Sequence, residues 1–172
     1  MSAEQNYRTG LIKKSVGQTL ALLLILGAML FLSAGTLQYW EAWAYLAILL
    51  AANSFMVVYL ILIRNDPELL ARRLRLKEKE PEQKLIQTFS FIVCVVVFLL
   101  PGLNKRYGWS SVPSAVVVAA DMIVVLGLGL FWLAVRENRW ASHIIEVEQD
   151  QQVITTGPYA LVRHPMYSAA LL

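Results

Sequence analysis

The chain has 172 residues, with 15 Lys and Arg against 12 Asp and Glu for a net charge of +3, and 58% of it is hydrophobic while 16% is charged. With a mean hydropathy of +0.56, too little polar material remains to coat a water-soluble globule. The basic residues lie between apolar blocks and are not interleaved with aromatics, which points to lipid headgroups and away from nucleic acid; the single cysteine, Cys94, excludes an intrachain disulfide and a thiolate metal cluster.

Four apolar blocks carry the architecture. Each is close to the roughly 20 residues that a helix needs to cross about 30 Å of hydrocarbon. They run from about Gly17 to Leu37, Glu41 to Ile63, Leu85 to Leu103, and Ser114 to Val135. Tyr39, Trp40, Trp43 and Tyr45 mark the first turn as interfacial, as Tyr107 and Trp109 mark the joint between the third and fourth blocks. A fifth span begins near Tyr167 with Ser168, Ala169, Ala170, Leu171 and Leu172. Six residues cannot cross a bilayer, so the expectation is the front part of a longer protein. The predicted fold class is all-α: one polytopic membrane bundle over residues 1–172, of four transmembrane helices plus the start of a fifth. A cleaved signal peptide is the competing reading of the first block, but the block is long for one and leads straight into a second span.

Thirteen of the fifteen basic residues, all but Lys105 and Arg106, fall on one side of these spans. The excess of positive charge predicts that the N-terminus and the segments 64–84 and 136–166 are cytoplasmic. In the first of these segments Asp66 precedes Pro67, a capping residue before a proline suited to a first helical turn, and Leu69, Leu70 and Leu74 form an apolar stripe. That stripe is expected to lie along the inner membrane surface. Within the spans, Cys94 reads as a small core residue, Asn53 as an interhelical hydrogen-bonding residue, and the Gly127, Gly129 pair as a site of close helix packing. Asp121 is an ionisable group in the hydrocarbon, open to a functional reading or to pairing with Lys105 or Arg106.

The last cytoplasmic segment holds both histidines and ends in the run from Thr155 to Tyr167. Thr155, Thr156, Gly157 and Pro158 form a turn by composition. The residue before Pro165 is steered to extended backbone, so His164 sits at a helix entrance with Arg163 and Tyr167 beside it. A cation, an imidazole and the phenols of Tyr159 and Tyr167 suit an anionic group such as a carboxylate or phosphate. An interfacial anchor, with arginine and tyrosine reaching to headgroups, accounts for the same residues.

Gly157, Pro158, Tyr159, Arg163, His164, Pro165, Met166 and Tyr167 resemble the GxY(x)3RHPxY signature of the isoprenylcysteine carboxyl methyltransferase family and its phospholipid methyltransferase relatives. Asn138, Arg139, Trp140, Ala141 and Ser142 resemble the stretch that follows a span in that family, and the resemblance covers roughly residues 85–172. It implies transfer of a methyl group from S-adenosyl-L-methionine, bound on the cytoplasmic side, to a lipophilic substrate entering from the bilayer, without a metal. By the same resemblance Gln151, Gln152, Val153 and Ile154 line the cofactor, with Tyr159, His164, Pro165, Met166 and Tyr167 completing the pocket and Glu146 as an upstream polar contact. Gln151 stands where many relatives have histidine, and the arginine and paired glutamates that the family carries after the fifth span are not in these 172 residues. No general base is implied. A sterol or steroid reductase using a nicotinamide cofactor, whose similar motif usually has asparagine in place of Met166, and a noncatalytic or truncated membrane protein are the alternatives.

Overall fold

A computed structural model describes residues 3–74, 81–138 and 153–172, which form helices and connecting turns, with no strand among them. Helix α1 spans Ala3–Ala34, α2 spans Trp40–Val58 and continues as a π-helical turn over Tyr59–Ile63, α3 spans Pro67–Arg73, α4 spans Pro81–Tyr107 and α5 spans Ser114–Glu137. A single 3-10 turn, Gly157–Ala160, and the short α6, Pro165–Ala170, follow. Four of these, α1, α2 with its π turn, α4 from Leu85 and α5, are long and apolar enough to cross a membrane. Most large apolar side chains on them face outward, which is the inverse of a soluble fold and what lipid requires. The chain is an integral membrane protein.

The helices do not follow chain order in space. α1 packs against both α2 and α4, while α5 packs against α2 and α6, so α1 and α2 are central and α4 and α5 flank them. Helix α1 starts at Ala3, well before the apolar block, because its polar first turns carry their own support: Arg8 pairs with Glu4 at 2.8 Å one turn away. Helix α4 runs on through Pro101 to Tyr107, four residues past the expected end; a proline inside a transmembrane helix is tolerated because neighbouring groups re-satisfy the backbone. Next to that proline, Gly102 lets α4 approach α1 so closely that an added Cβ would run into the Ser33 hydroxyl and lie 2.7 Å from the Leu30 carbonyl oxygen.

At the α1–α2 turn, Gly35 adopts φ +69° and its N–H donates to the Phe31 carbonyl at 2.9 Å, closing the helix in the left-handed conformation glycine favours. The Trp43 indole N–H donates to the Leu37 carbonyl at 3.0 Å, and Phe31 meets the Trp43 ring at 4.7 Å. The two basic residues of this end are both drawn onto the turn: Lys105 pairs with Glu41 at 3.9 Å and lies over Tyr39, and Arg106 lies against Gly35. Those are the cations that were open to Asp121.

Several expectations within the spans are corrected. Cys94 is exposed on α4 and not in the core, since α4 buries only the face it turns to α1. The Asn53 amide donates to Leu49 O at 3.0 Å within its own helix, so it is not an interhelical bond. The glycine pair divides: Gly127 is a close-packing site, with Ala169 O of α6 2.9 Å from where its Cβ would stand, whereas nothing lies within 4 Å of a Cβ at Gly129.

Candidate functional site: the α3 end of the bundle

The π turn shapes this end. Arg64 N–H donates to Tyr59 O at 2.8 Å, a bond five residues back, and Leu60 and Ile61 are buried. Single π turns of this kind recur at functional sites. After Asn65, at φ +56°, the Asp66 carboxylate accepts from Leu69 N–H at 3.0 Å and Pro67 occupies the first turn of α3, as the sequence predicted. The apolar stripe of α3 is placed differently from the expectation. Leu69, Leu70 and Leu74 pack with Leu11, Leu60, Ile61 and Val135 in a buried cluster, so α3 plugs the end of the bundle and does not lie on the lipid surface.

Arg73 shares that stripe and is itself buried, 8% exposed. Its guanidinium lies 4.7 Å over the Phe131 ring of α5. Burial pushes it down to about 10, against a favourable interaction with Tyr159, which leaves it charged at neutral pH. Sequence reasoning missed this residue. The available signal was its position three and four residues after Leu70 and Leu69, on the same face of the helix.

Beneath α3 lies a cavity of about 720 Å³, walled by α1, α2, α3 and α5. Ser15, Gln18 and Arg73 stand at the α3 end, and Gln18 donates to Leu74 O at 3.3 Å. Leu22, Ile48 and Val125 mark the far end, and Gly129 and Trp132 line the α5 wall. Such a volume falls in the range of about 300 to 1,000 Å³ usual for ligand pockets. Trp132 meets Phe55 at 5.6 Å and Tyr59 at 5.4 Å, and Arg136 lies over it at 5.4 Å.

The segment 153–172 attaches to the end of α5. Gly157 sits at φ +56° against Glu137, whose carboxylate accepts from the Thr156 hydroxyl at 3.0 Å. A side chain at Gly157 would collide with Glu137 Cγ, 2.5 Å away, and would be strained besides. The Asn138 amide donates to the Tyr159 hydroxyl at 3.2 Å. Arg64 donates to the carbonyls of Val135 and Arg136 and pairs with Asp66 at 3.6 Å, tying the π turn to the end of α5.

Of the predicted site residues, His164 and Tyr167 come together with ring centroids 5.5 Å apart, and both are exposed. Pro165 is fully buried and Met166 packs against the α3 core cluster, so these two hold the pair in place and offer little side-chain surface of their own. Tyr159 is half-buried and engaged by Asn138. Val153 is 91% exposed and Ile154 half-buried, and Arg163 is exposed beside His164. Glu146, Gln151 and Gln152 lie outside the described residues. Among the described residues no three His, Cys, Asp or Glu side chains gather as a metal site would need. No family model matches this chain, and no curated protein or solved structure matches it either.

Proposed function

We propose that the protein is an S-adenosyl-L-methionine-dependent methyltransferase of the membrane, acting on a lipophilic acceptor, with the α3 end of the bundle in the cytoplasm. The observation that carries this reading is the adjacency of two kinds of surface at one end. An exposed imidazole and phenol stand at the start of α6, and an apolar cavity opens beneath α3, with Arg73 lining that cavity and Met166 of the motif packed against the cluster that holds Leu70 and Leu74 of its wall. A polar, charged cofactor and a lipophilic acceptor need such a pair of surfaces side by side.

The residues fit the cofactor in type. A methionyl carboxylate takes a hydrogen bond from His164, a sulfonium is tolerated by the Tyr167 ring face, and adenine takes backbone hydrogen bonds and an apolar wall from the stretch Val153 and Ile154. When bound, the cofactor supplies an electrophilic methyl group. The protein's work is then to hold the acceptor's nucleophilic atom in line with that methyl and to keep water away. Pro165 and Met166, buried in and against the α3 core, fix where His164 and Tyr167 stand. The cytoplasmic placement rests on the thirteen basic residues that share this side.

The test uses the purified protein in lipid nanodiscs. S-adenosylhomocysteine should raise the melting temperature, because a ligand that binds only the folded state stabilises it by mass action, and NADPH should not. A shift with NADPH alone would assign the protein to the reductase class; no shift with either would remove both.

A further inference from the structure

Arg64 works on two sides of one rigid plane. Its Nη1 donates to the carbonyls of Val135 and Arg136, and its Nε faces Asp66 Oδ2 at 3.6 Å. Those carbonyls belong to the last turn of α5, where a helix runs out of N–H groups of its own. Arg64 is therefore a C-cap supplied by another helix, and its charge complements the negative end of the helix dipole. The other oxygen of the same carboxylate, Asp66 Oδ1, accepts from Leu69 N–H at the start of α3.

The π turn aims this side chain. Arg64 N–H reaches back five residues to Tyr59 O, one more than in an α-helix, and one residue turns a helix by about 100°. Without the extra residue Arg64 would leave α2 on a different face. Leu60 and Ile61, inside the turn, are buried in one cluster with Val135, so packing holds the turn against α5 as well.

What Arg64 holds is the anchor of the motif. The Glu137 carboxylate accepts from the Thr156 hydroxyl, Gly157 lies against Glu137, and the Asn138 amide donates to the Tyr159 hydroxyl. Arg64 meets the end of α5, and the next two residues of that end meet the motif. From this chain of contacts we infer that Arg64 is a positioning residue: it fixes the last turn of α5 and, through Glu137 and Asn138, the place where the run 157–167 stands. This positioning belongs to the protein without cofactor. Its effect on cofactor affinity rests on the methyl-transfer reading.

Hydrogen–deuterium exchange in nanodiscs without ligand tests it, read by mass spectrometry on peptides covering 159–168. Their amides bond within the segment, Tyr159 to Thr156 O and Ser168 to His164 O among them. Arg64→Gln should speed their exchange about fivefold or more, the scale of losing one or two hydrogen bonds. The amide of Gly35, bonded to Phe31 O at the opposite end, should be unaffected. Arg64→Lys, which keeps the charge and loses the planar fork, should recover less than half of the change. Gly102→Ala, which loosens α4 from α1 at the opposite end, should leave 159–168 as in wild type; this separates positioning from a general loss of stability.

The decisive comparison is a mutant cycle. With Glu137→Ala and Asn138→Ala in place the transmitting contacts are gone, so Arg64→Gln should add little to the exchange of 159–168. If Arg64→Gln does not fold, Arg64→Lys takes its place in the cycle. Where wild type binds S-adenosylhomocysteine, Arg64→Gln should weaken that binding several-fold. Additive effects in the cycle, unchanged exchange in folded Arg64→Gln, or equal S-adenosylhomocysteine affinity in a wild type that binds it would overturn the inference. Failure of wild type to bind S-adenosylhomocysteine would remove the methyl-transfer reading and leave the exchange cycle to decide the positioning.

Discussion

The Arg73 guanidinium lies 4.7 Å above the Phe131 ring, and this contact joins α3 to α5 across the mouth of the cavity. A buried cation over an aromatic face is worth roughly 0.5 to 2 kcal/mol. Phe131→Leu should lower the stability of the protein in nanodiscs by about that amount, and Phe131→Tyr should recover most of it. Denaturation in increasing sodium dodecyl sulfate measures both. Equal losses for the two variants would show that the aromatic face beneath the guanidinium contributes nothing to stability.

Gly102→Ala tests the closest helix contact. Its new methyl group would be forced into Ser33 and against Leu30 O, so α4 must move away from α1, at about 1 to 3 kcal/mol. Ser33→Gly in the same chain should restore only part of the loss, because the Leu30 backbone remains. Stability equal to wild type in Gly102→Ala would place α4 farther from α1 than described.

The four spans were legible in the sequence because a run of about 20 apolar residues has few other uses. So was the capped start of α3, because Asp66 and Pro67 act through local geometry. What the sequence did not reveal were the partners. The stripe of Leu69, Leu70 and Leu74 has the same spacing whether it meets lipid or a bundle end, and only the tertiary fold places it against Leu60 and Val135. Gly127 and Gly129 are two residues apart and chemically identical, yet one supports α6 and the other faces a cavity. The pairing of His164 with Tyr167 followed from their spacing of three at a helix start. The cavity beside them is built by four separate helices and has no signature in any one of them.

Topology can be read with cysteines introduced singly into a Cys94→Ser background. Cysteines near Lys79 and Gln149 should resist an impermeant maleimide added to intact cells, and one at Lys105 should be labelled. Labelling at 149 with none at 105 would invert the bundle and remove the cytoplasmic site.

The pH response of stability follows from two groups outside the spans. Arg73, lowered by burial to about 10 from the usual guanidinium range, carries a charged-state penalty that is constant below pH 10 and is relieved only as pH rises above it. Tyr39 is raised above 10 by burial and then by Glu41, so its contribution holds below pH 10 and is lost above it, where the unfolded phenol ionises first. Neither window reaches pH 7 to 9. Stability curves of wild type and Tyr39→Phe should therefore stay parallel from pH 7 to 9 and separate above 10; separation already at pH 8 would contradict this assignment.

The most direct measurement is calorimetric titration of S-adenosylhomocysteine into wild type and His164→Ala in nanodiscs, normalised to folded protein. If the exposed His164 beside Tyr167 meets the carboxylate end of the cofactor, the substitution should weaken binding by roughly 1 to 3 kcal/mol, the range for losing a charge-assisted hydrogen bond, with the melting temperature of the unliganded protein unchanged. Tyr167→Phe should cost less, since the ring face is retained. Equal dissociation constants for wild type and His164→Ala, or a variant that loses stability while binding as before, would make these residues an interfacial anchor and contradict the proposed cofactor site.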